Sequence, residues 1–319
     1  MFYYWEKFVD FFVYSLLGLD KEEHLTQALH FFIFDTVKIL VLLVLIIYLV
    51  TFLRSYFPVE KVRDYLSGKH KLVGHVFAAC FGVLTPFCSC SAIPLFLGFL
   101  QARIPLGVTF SYLISAPLSD AVVIALLFSL FGIKITLLYM ACALLIAIIA
   151  GLVIGSLNLE KEILLEVKPA SCCASSSEEN ISLKYRAKEA WKDSLDILKK
   201  IYLYVFIGIG IGAFIHGYVP SELIVKYAGG DIWYAPIVAV FMGIPMYSSA
   251  AGMLPLIEVL TSKGMLLGTA LSFMMAVVAL SLPEAMILKR VLSIKLISIF
   301  FGIVGFAILL VGFVFNMIL

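Results

Sequence analysis

Apolar stretches of membrane-crossing length, interrupted at related places in two halves of the chain, are the feature that most constrains its fold. Ile135 to Leu157 is one clean apolar run and Leu296 to Leu319 is another. A helix needs about 20 such residues to cross a bilayer core. The runs are continuous, without the alternation over roughly ten residues that marks a membrane β-strand. Composition agrees: 63% of the 319 residues are hydrophobic, 14% are charged and mean hydropathy is +1.09. A soluble domain carries roughly 25% charged residues, and its interior could not hide this much apolar side chain. An ordinary soluble enzyme and a disordered chain are therefore excluded. With 23 Lys+Arg against 21 Asp+Glu there is no basic excess, so no nucleic-acid partner is expected. The expected class is an all-α polytopic membrane protein, multi-pass in the cell (cytoplasmic) membrane.

Four units are expected. Residues 1–30 form an N-terminal amphipathic segment, in which Trp5, Phe8, Val9, Phe12 and Leu16 share one face of a helix. It has neither a basic start nor a small-residue cleavage site, so it reads as an interfacial helix rather than a signal peptide. The face either anchors in lipid or packs on the protein's own bundle. Residues 31–157 form a first membrane repeat. It opens with a span, Phe31 to Leu53, in which Asp35 and Lys38 can pair at i, i+3. Two short apolar runs follow, Leu72 to Thr85 and Ser91 to Leu100, then Pro105 to Phe131, interrupted at Ser115 to Asp120. Residues 158–200 form a polar linker containing Cys172-Cys173. Residues 201–319 form a second repeat with the same order: a span, the short runs Ile232 to Ile244 and Ala250 to Leu260, the broken run Gly264 to Leu288, and a final span.

The halves align by motif. Pro86-Phe87-Cys88-Ser89 matches Pro245-Met246-Tyr247-Ser248, Leu106-Gly107 matches Leu267-Gly268, and Ile133-Lys134 matches Ile294-Lys295. With a small insertion, Ser119-Asp120-Ala121 matches Pro283-Glu284-Ala285. The expected architecture is two inverted-topology repeats, each with a re-entrant half-helix hairpin and a broken spanning helix, as in secondary transporters. Orientation comes from the basic residues. If the loop after the first span is cytoplasmic, 17 of the 23 fall inside: five in 54–71, Arg103, eight in 158–200, and Lys289, Arg290 and Lys295.

Irregular backbone at membrane depth is tolerated where it is buried in protein or lines a wet cavity. The two hairpin tips (Thr85 to Ser91, Pro245 to Gly252) and the two helix breaks (Ser115 to Asp120, Ser281 to Glu284) are therefore the candidate substrate path. Its lining residues are Pro86, Cys88, Ser89, Cys90, Ser115, Pro117, Ser119, Pro245, Tyr247, Ser248, Ser249, Ser281 and Pro283. Asp120 and Glu284 are ionisable groups inside apolar segments, which is costly and usually functional. They either carry a coupling proton or cap the half-helix that follows. Cys88 and Cys90 are two thiols in a polar break, suited to a soft species such as trivalent arsenic, copper(I) or zinc; the other reading is small-residue packing. Cys172-Cys173 is a vicinal pair that either relays such a ligand, or a redox signal, to a cytosolic thiol protein or is an incidental part of a linker. Cys80 and Cys142 are expected to fill the core. Gly151 and Gly155, with Gly208, Gly210 and Gly212, mark helix-packing seams. His75 and His216 read as satisfied interface residues. No nucleotide-binding glycine loop occurs, and neither a cofactor nor enzymatic activity is expected.

Thr85-Pro86-Phe87-Cys88-Ser89-Cys90-Ser91-Ala92-Ile93-Pro94-Leu95 and Pro105-Leu106-Gly107-Val108-Thr109-Phe110-Ser111 closely resemble the YraQ/ArsP-like predicted permeases. So do Pro245-Met246-Tyr247-Ser248-Ser249-Ala250-Ala251-Gly252 and Ala279-Leu280-Ser281-Leu282-Pro283-Glu284, and the resemblance runs from the first span to the last. It implies a membrane permease, and the best-understood branch of the family exports trivalent organoarsenicals. The chain departs from the family pattern at Pro117-Leu118-Ser119-Asp120 and at Ser249. The expected function is proton-coupled export of a small thiophilic solute. Soft-metal permeation, a channel and a membrane thiol relay are the other readings. Candidate partners are the bilayer, a small-molecule or soft-metal substrate, a cytosolic thiol protein and further copies of the chain.

Overall fold

The structure is a computed structural model. It describes residues 3–16, 18, 20, 24–54, 71–85, 89–101, 103–164, 187–188, 191–192, 194–195, 198–199, 202–203, 206–207, 209–210, 232–246 and 250–318. The described residues are helical, with one isolated antiparallel bridge between Ile163 and Leu292. The helices are α1 (Tyr3–Asp10), continued by a π-helix (Phe11–Leu16), then α2 (His24–Arg54), α3 (Lys71–Leu84), α4 (Ser89–Gln101), α5 (Leu106–Leu118) and α6 (Ala121–Ser156). In the second half they are α7 (Ala235–Gly243), α8 (Ala250–Ser262), α9 (Leu267–Ala279), α10 (Leu282–Leu288) and α11 (Ile294–Ile318). Among them, Ala121–Ser156, Leu267–Leu288 and Ile294–Ile318 are long and apolar enough to cross a membrane.

The elements recur. Residue 89 becomes 250, 101 becomes 262, 106 becomes 267, 118 becomes 279 and 121 becomes 282, a constant shift of 161. The packing recurs with it. Gly82 faces Ser115 and Ala116, and Gly243 faces Ala276 and Val277; Gly107 faces Gly151 and Gly155, and Gly268 faces Gly312 and Asn316. Gly132 stands at φ 76°, ψ 176° and divides α6 into two helical pieces at the level where residues 289–293 separate α10 from α11. Only glycine adopts such a φ without strain. Because no insertion interrupts the shift, Asp120 corresponds to Ser281, and Glu284 to Val123. The sequence pairing of Asp120 with Glu284, which required an insertion, is corrected by this register. Pro245 likewise falls opposite Leu84 rather than Pro86.

The halves hold each other reciprocally. Helix α8 packs on α6 and α10 on α4, while α5 meets α9 and α6 meets α11. Every residue of α5, and all of α9 but Leu267, is buried, so these two helices form the centre. Helix α3 shows how an outer helix meets them. Leu72, Val73, Val76, Phe77, Phe81 and Leu84 are exposed, and Gly74, His75, Ala78, Ala79 and Gly82 are buried. Small residues inward and large apolar residues outward is the membrane pattern, because lipid solvates the large chains and small ones let backbones approach. Cys80 lies on the outward stripe and is exposed, so it does not fill the core, whereas Cys142 packs partly against it.

The N-terminal segment packs on the bundle. Val9 and Val13 are buried, Trp5 Nε1 donates to the Phe34 carbonyl at 3.4 Å, and Asp10 meets His30 at 2.8 Å. Asp35 and Lys38 pair at 3.9 Å on α2. At the other end of the first half, residues 159–164 strap onto the α10–α11 junction. Leu164 N–H donates to the Val291 carbonyl at 2.7 Å, Ser293 N–H to the Glu162 carbonyl at 2.9 Å, and Lys295 Nζ to Glu162 Oε1 at 3.3 Å. Hydrogen bonds from Ser293 and Lys295 hold the Glu162 carboxyl below the usual carboxylate range. The strap puts the start of the polar linker on the same face as Lys289, Arg290 and Lys295.

Candidate functional site at the helix breaks

The first break follows Leu118, one residue after Pro117, which lies inside α5 without an N–H to donate. Helix α9 ends at the equivalent Ala279 with Val278 in the proline's place, so the proline accompanies the break and does not by itself cause it. Three buried polar groups line it. Ser115 Oγ donates to the Ala79 carbonyl at 2.7 Å, Ser119 Oγ to the Ser115 carbonyl at 2.8 Å, and Ser119 N–H to the same carbonyl at 3.0 Å. A Cβ on Gly82 would lie 2.8 Å from Ser115 Cβ, so glycine there is what lets α3 close on the serine. Asp120 follows, half-buried, and accepts the Val122 N–H at 3.3 Å. It stands at the N-cap of α6, one of the two roles expected for it.

In the second half, two irregular points meet. The chain turns at Ile244 and the half-buried Pro245 after α7, and Leu282 N–H donates to the Ile244 carbonyl at 3.2 Å. Ser281 takes the N-cap position of α10 without a side-chain capping bond. Among the described residues its buried hydroxyl has no partner, and neither have the two carboxylate oxygens of Glu284, which is fully buried in the first turn. Among those residues Glu284 therefore makes no capping bond. A buried polar group without a partner is rare and destabilising, and such groups concentrate where function needs them. Because α10 packs on α4, Glu284 rides on the helix that meets the first-half segment beginning at Ser89.

The predicted site residues divide accordingly. Ser115, Pro117, Ser119 and Asp120 are together at one break; Pro245, Ser281 and Glu284 are together at the other. Ser89, Cys90 and Pro283 lie within helices α4 and α10, their side chains outside the described residues. Pro86, Cys88, Tyr247, Ser248, Ser249, Cys172 and Cys173 lie outside them altogether. Among the described residues, no group of three His, Cys, Asp or Glu side chains could hold a metal ion. A cleft of about 390 Å³ opens at the α6 corner, lined by Ala121, Phe128, Ile133, Leu137 and Met140 among others. Its walls are apolar, so the polar chemistry lies at the breaks and not there.

Two polar pairs, one buried and one half-buried, carry no signal of their own in the sequence as a pair of locks. His75 Nδ1 lies 2.8 Å from Ser111 Oγ, and Asn316 holds Thr269. The nearest signal was the Gly151–Gly155 spacing. What it lacked was the shift of 161, which places Asn316 opposite Gly155.

A family model described as "Predicted permease", ArsP_1, matches residues 24–317. The UPF0718 protein MJ0584 of Methanocaldococcus jannaschii is 22% identical over 313 residues, covering 81% of this chain and 86% of that protein. A Streptococcus mutans protein, whose name describes a subunit of a two-component membrane permease complex, is 24% identical over 218 residues, 68% of this chain and 69% of its own. No solved structure matches the chain at a significant level. A chain whose described residues are mostly helical, with membrane-length apolar helices, and which this model matches over nearly its whole length, belongs to the ArsP_1 family of predicted permeases.

Proposed function

We propose that the chain is a secondary permease that exports a small thiophilic solute, a trivalent organoarsenical first and a soft-metal ion second, coupled to proton entry. The observation that carries the coupling is Glu284: a fully buried carboxyl beside a helix break, with neither oxygen partnered among the described residues. Such a group is stable as a neutral acid and becomes costly on ionisation. It therefore exchanges its proton only when the site opens to water, which is what a carrier of one proton per cycle requires. Cys88 and Cys90 supply the soft ligands, with Ser89, Tyr247, Ser248 and Ser249 on the opposing side. In this reading the two halves are inverted, the tips at Thr85–Ser91 and Pro245–Gly252 re-enter to mid-membrane, and access alternates as the hairpins move against the outer helices. Family membership supports the permease, and the two thiols support the class of solute.

The test is accumulation of methylarsenite, arsenite, copper and zinc in cells with and without the protein. Lower methylarsenite with the protein, abolished by C88S/C90S and by E284Q, is the expected result. Equal accumulation of all four would overturn the thiophilic reading. The streptococcal relative's name favours a second arrangement, in which the permease works with another polypeptide. Co-purification of one stoichiometric membrane partner from the native host would favour it; activity of the protein alone in liposomes would remove it.

A further inference from the structure

Each half has a polar pair at the seam between its central helix and its long outer helix, fully buried in the first half and half-buried at Asn316 in the second, and the two pairs differ in kind. In the second half Asn316 Oδ1 accepts the Thr269 N–H at 3.0 Å and Asn316 Nδ2 donates to Thr269 Oγ1 at 2.9 Å. That lock has two bonds and cannot titrate. In the first half the position equivalent to Asn316 is Gly155, and the seam is filled from the side by His75 of α3, 95% buried, with Nδ1 2.8 Å from Ser111 Oγ. The ring has its own slot. A Cβ on Gly107 would stand 2.9 Å from its Cε1, and one on Gly151 would stand 3.0 Å from its Nδ1.

Among the described residues, none of the helices packed against α3 carries a carboxylate toward the ring. The described elements packed against α3 are α4, through Phe81 and Phe99, α5, whose titratable group is Tyr112, and α6, which carries Lys134, Tyr139 and Cys142 but none between Ala147 and Gly155; beyond the helix ends, Arg103 and Glu160 are exposed and Glu162 is paired with Lys295. Helix α3 itself adds Lys71 and Cys80, and Asp120 stands at the far break. The ring is thus satisfied as a neutral imidazole with one bond. An added proton would occupy its remaining lone pair, and both nitrogens would then donate. The charged ring would favour contact with water over this seam.

We propose that His75 is a second proton-binding site, in the half of the molecule opposite Glu284. It takes up a proton as α3 and α5 part from α6, and releasing the proton closes the seam. This rests on the proton-coupled reading above and adds to it a site, a partner (Ser111) and the interface that moves.

The test has two arms. In ring-¹⁵N-histidine protein in lipid nanodiscs, H75N identifies the His75 signals among the five histidines. These signals should pass from the neutral to the doubly protonated pattern between roughly pH 8 and pH 5. S111A should move the midpoint. A His75 ring that stays neutral throughout overturns the proposal, whatever the solute. In proteoliposomes, the pH profile of methylarsenite transport should lose its histidine-range inflection in H75N and H75Q. A retained inflection in a folded variant also overturns it. If H75N and H75Q do not fold, an S111A midpoint identical to wild type decides against the site. E284Q is read separately: uphill transport surviving in E284Q removes the Glu284 coupling and leaves the His75 result standing.

Discussion

Asn316 and Thr269, 47 residues apart, hold each other by two hydrogen bonds, one through the Thr269 backbone and one through its side chain. The amide is therefore both a seam filler and the partner of a backbone N–H in the first turn of α9. Replacing Asn316 by Leu keeps most of the volume and strands the buried Thr269 groups. The expected loss is about 1–3 kcal/mol, read as a lower midpoint of thermal unfolding in detergent.

Gly107 lets α6 approach α5, and Gly268 lets α11 approach α9, at backbone distance. A Cβ on Gly107 would lie 2.5 Å from the Gly151 carbonyl oxygen, and one on Gly268 2.5 Å from the Asn316 nitrogen. Backbone cannot swing aside as a side-chain tip can. G107A and G268A should each destabilise by about 1–3 kcal/mol, whereas G98A, with open space around it, should leave the unfolding midpoint almost unchanged.

Glu284 should show the opposite sign. Glu284→Leu removes a buried carboxyl without a partner among the described residues, so the protein should gain about 1–3 kcal/mol while losing transport. Stability that rises as function is lost is the signature of a site maintained against folding. A variant that is both less stable and fully active would remove the coupling role.

Asp120 separates capping from coupling by one comparison. Asp120→Asn retains an acceptor for the Val122 N–H; Asp120→Ala does not. If the residue only caps α6, Asp120→Ala loses about 0.5–2 kcal/mol, while Asp120→Asn transports with the wild-type pH profile. An Asp120→Asn protein that is stable but no longer driven by a proton gradient would assign the coupling role as well.

The Glu162–Lys295 strap should respond to acid. Hydrogen bonds from Ser293 and Lys295 hold Glu162 lower in the folded chain than in the unfolded one. Its contribution is therefore complete above the ordinary glutamate value of about 4.3 and is lost as pH falls through the lower folded value. Wild type and E162Q should differ in unfolding midpoint at pH 7 and converge in that acidic window.

Much of the fold was legible in the sequence because its signals are local. The runs Leu72–Thr85 and Ala250–Leu260 correspond to helices Lys71–Leu84 and Ala250–Ser262, and the Pro117 break was visible as composition. Register was harder. Prolines and acidic residues alone set Asp120 beside Glu284, whereas helix ends and glycine contacts set it beside Ser281. Cys80 was misread because a stretch as apolar as α3 has no polar face to mark which side meets lipid; size, not polarity, carries that information. Of the candidate site, the serines of the first break could be anticipated as polar residues in an apolar run. The burial of Glu284 without a partner among the described residues could not, because it depends on how α10 packs and not on local composition.

The reciprocal packing of α8 on α6 and α10 on α4 also bears on inheritance. The contacts described between the halves are made by helices on either side of residues 165–186 in the sequence. A gene divided within that stretch would encode two polypeptides that find each other in the membrane through the same surfaces. One long reading frame or two short ones would then specify the same machine.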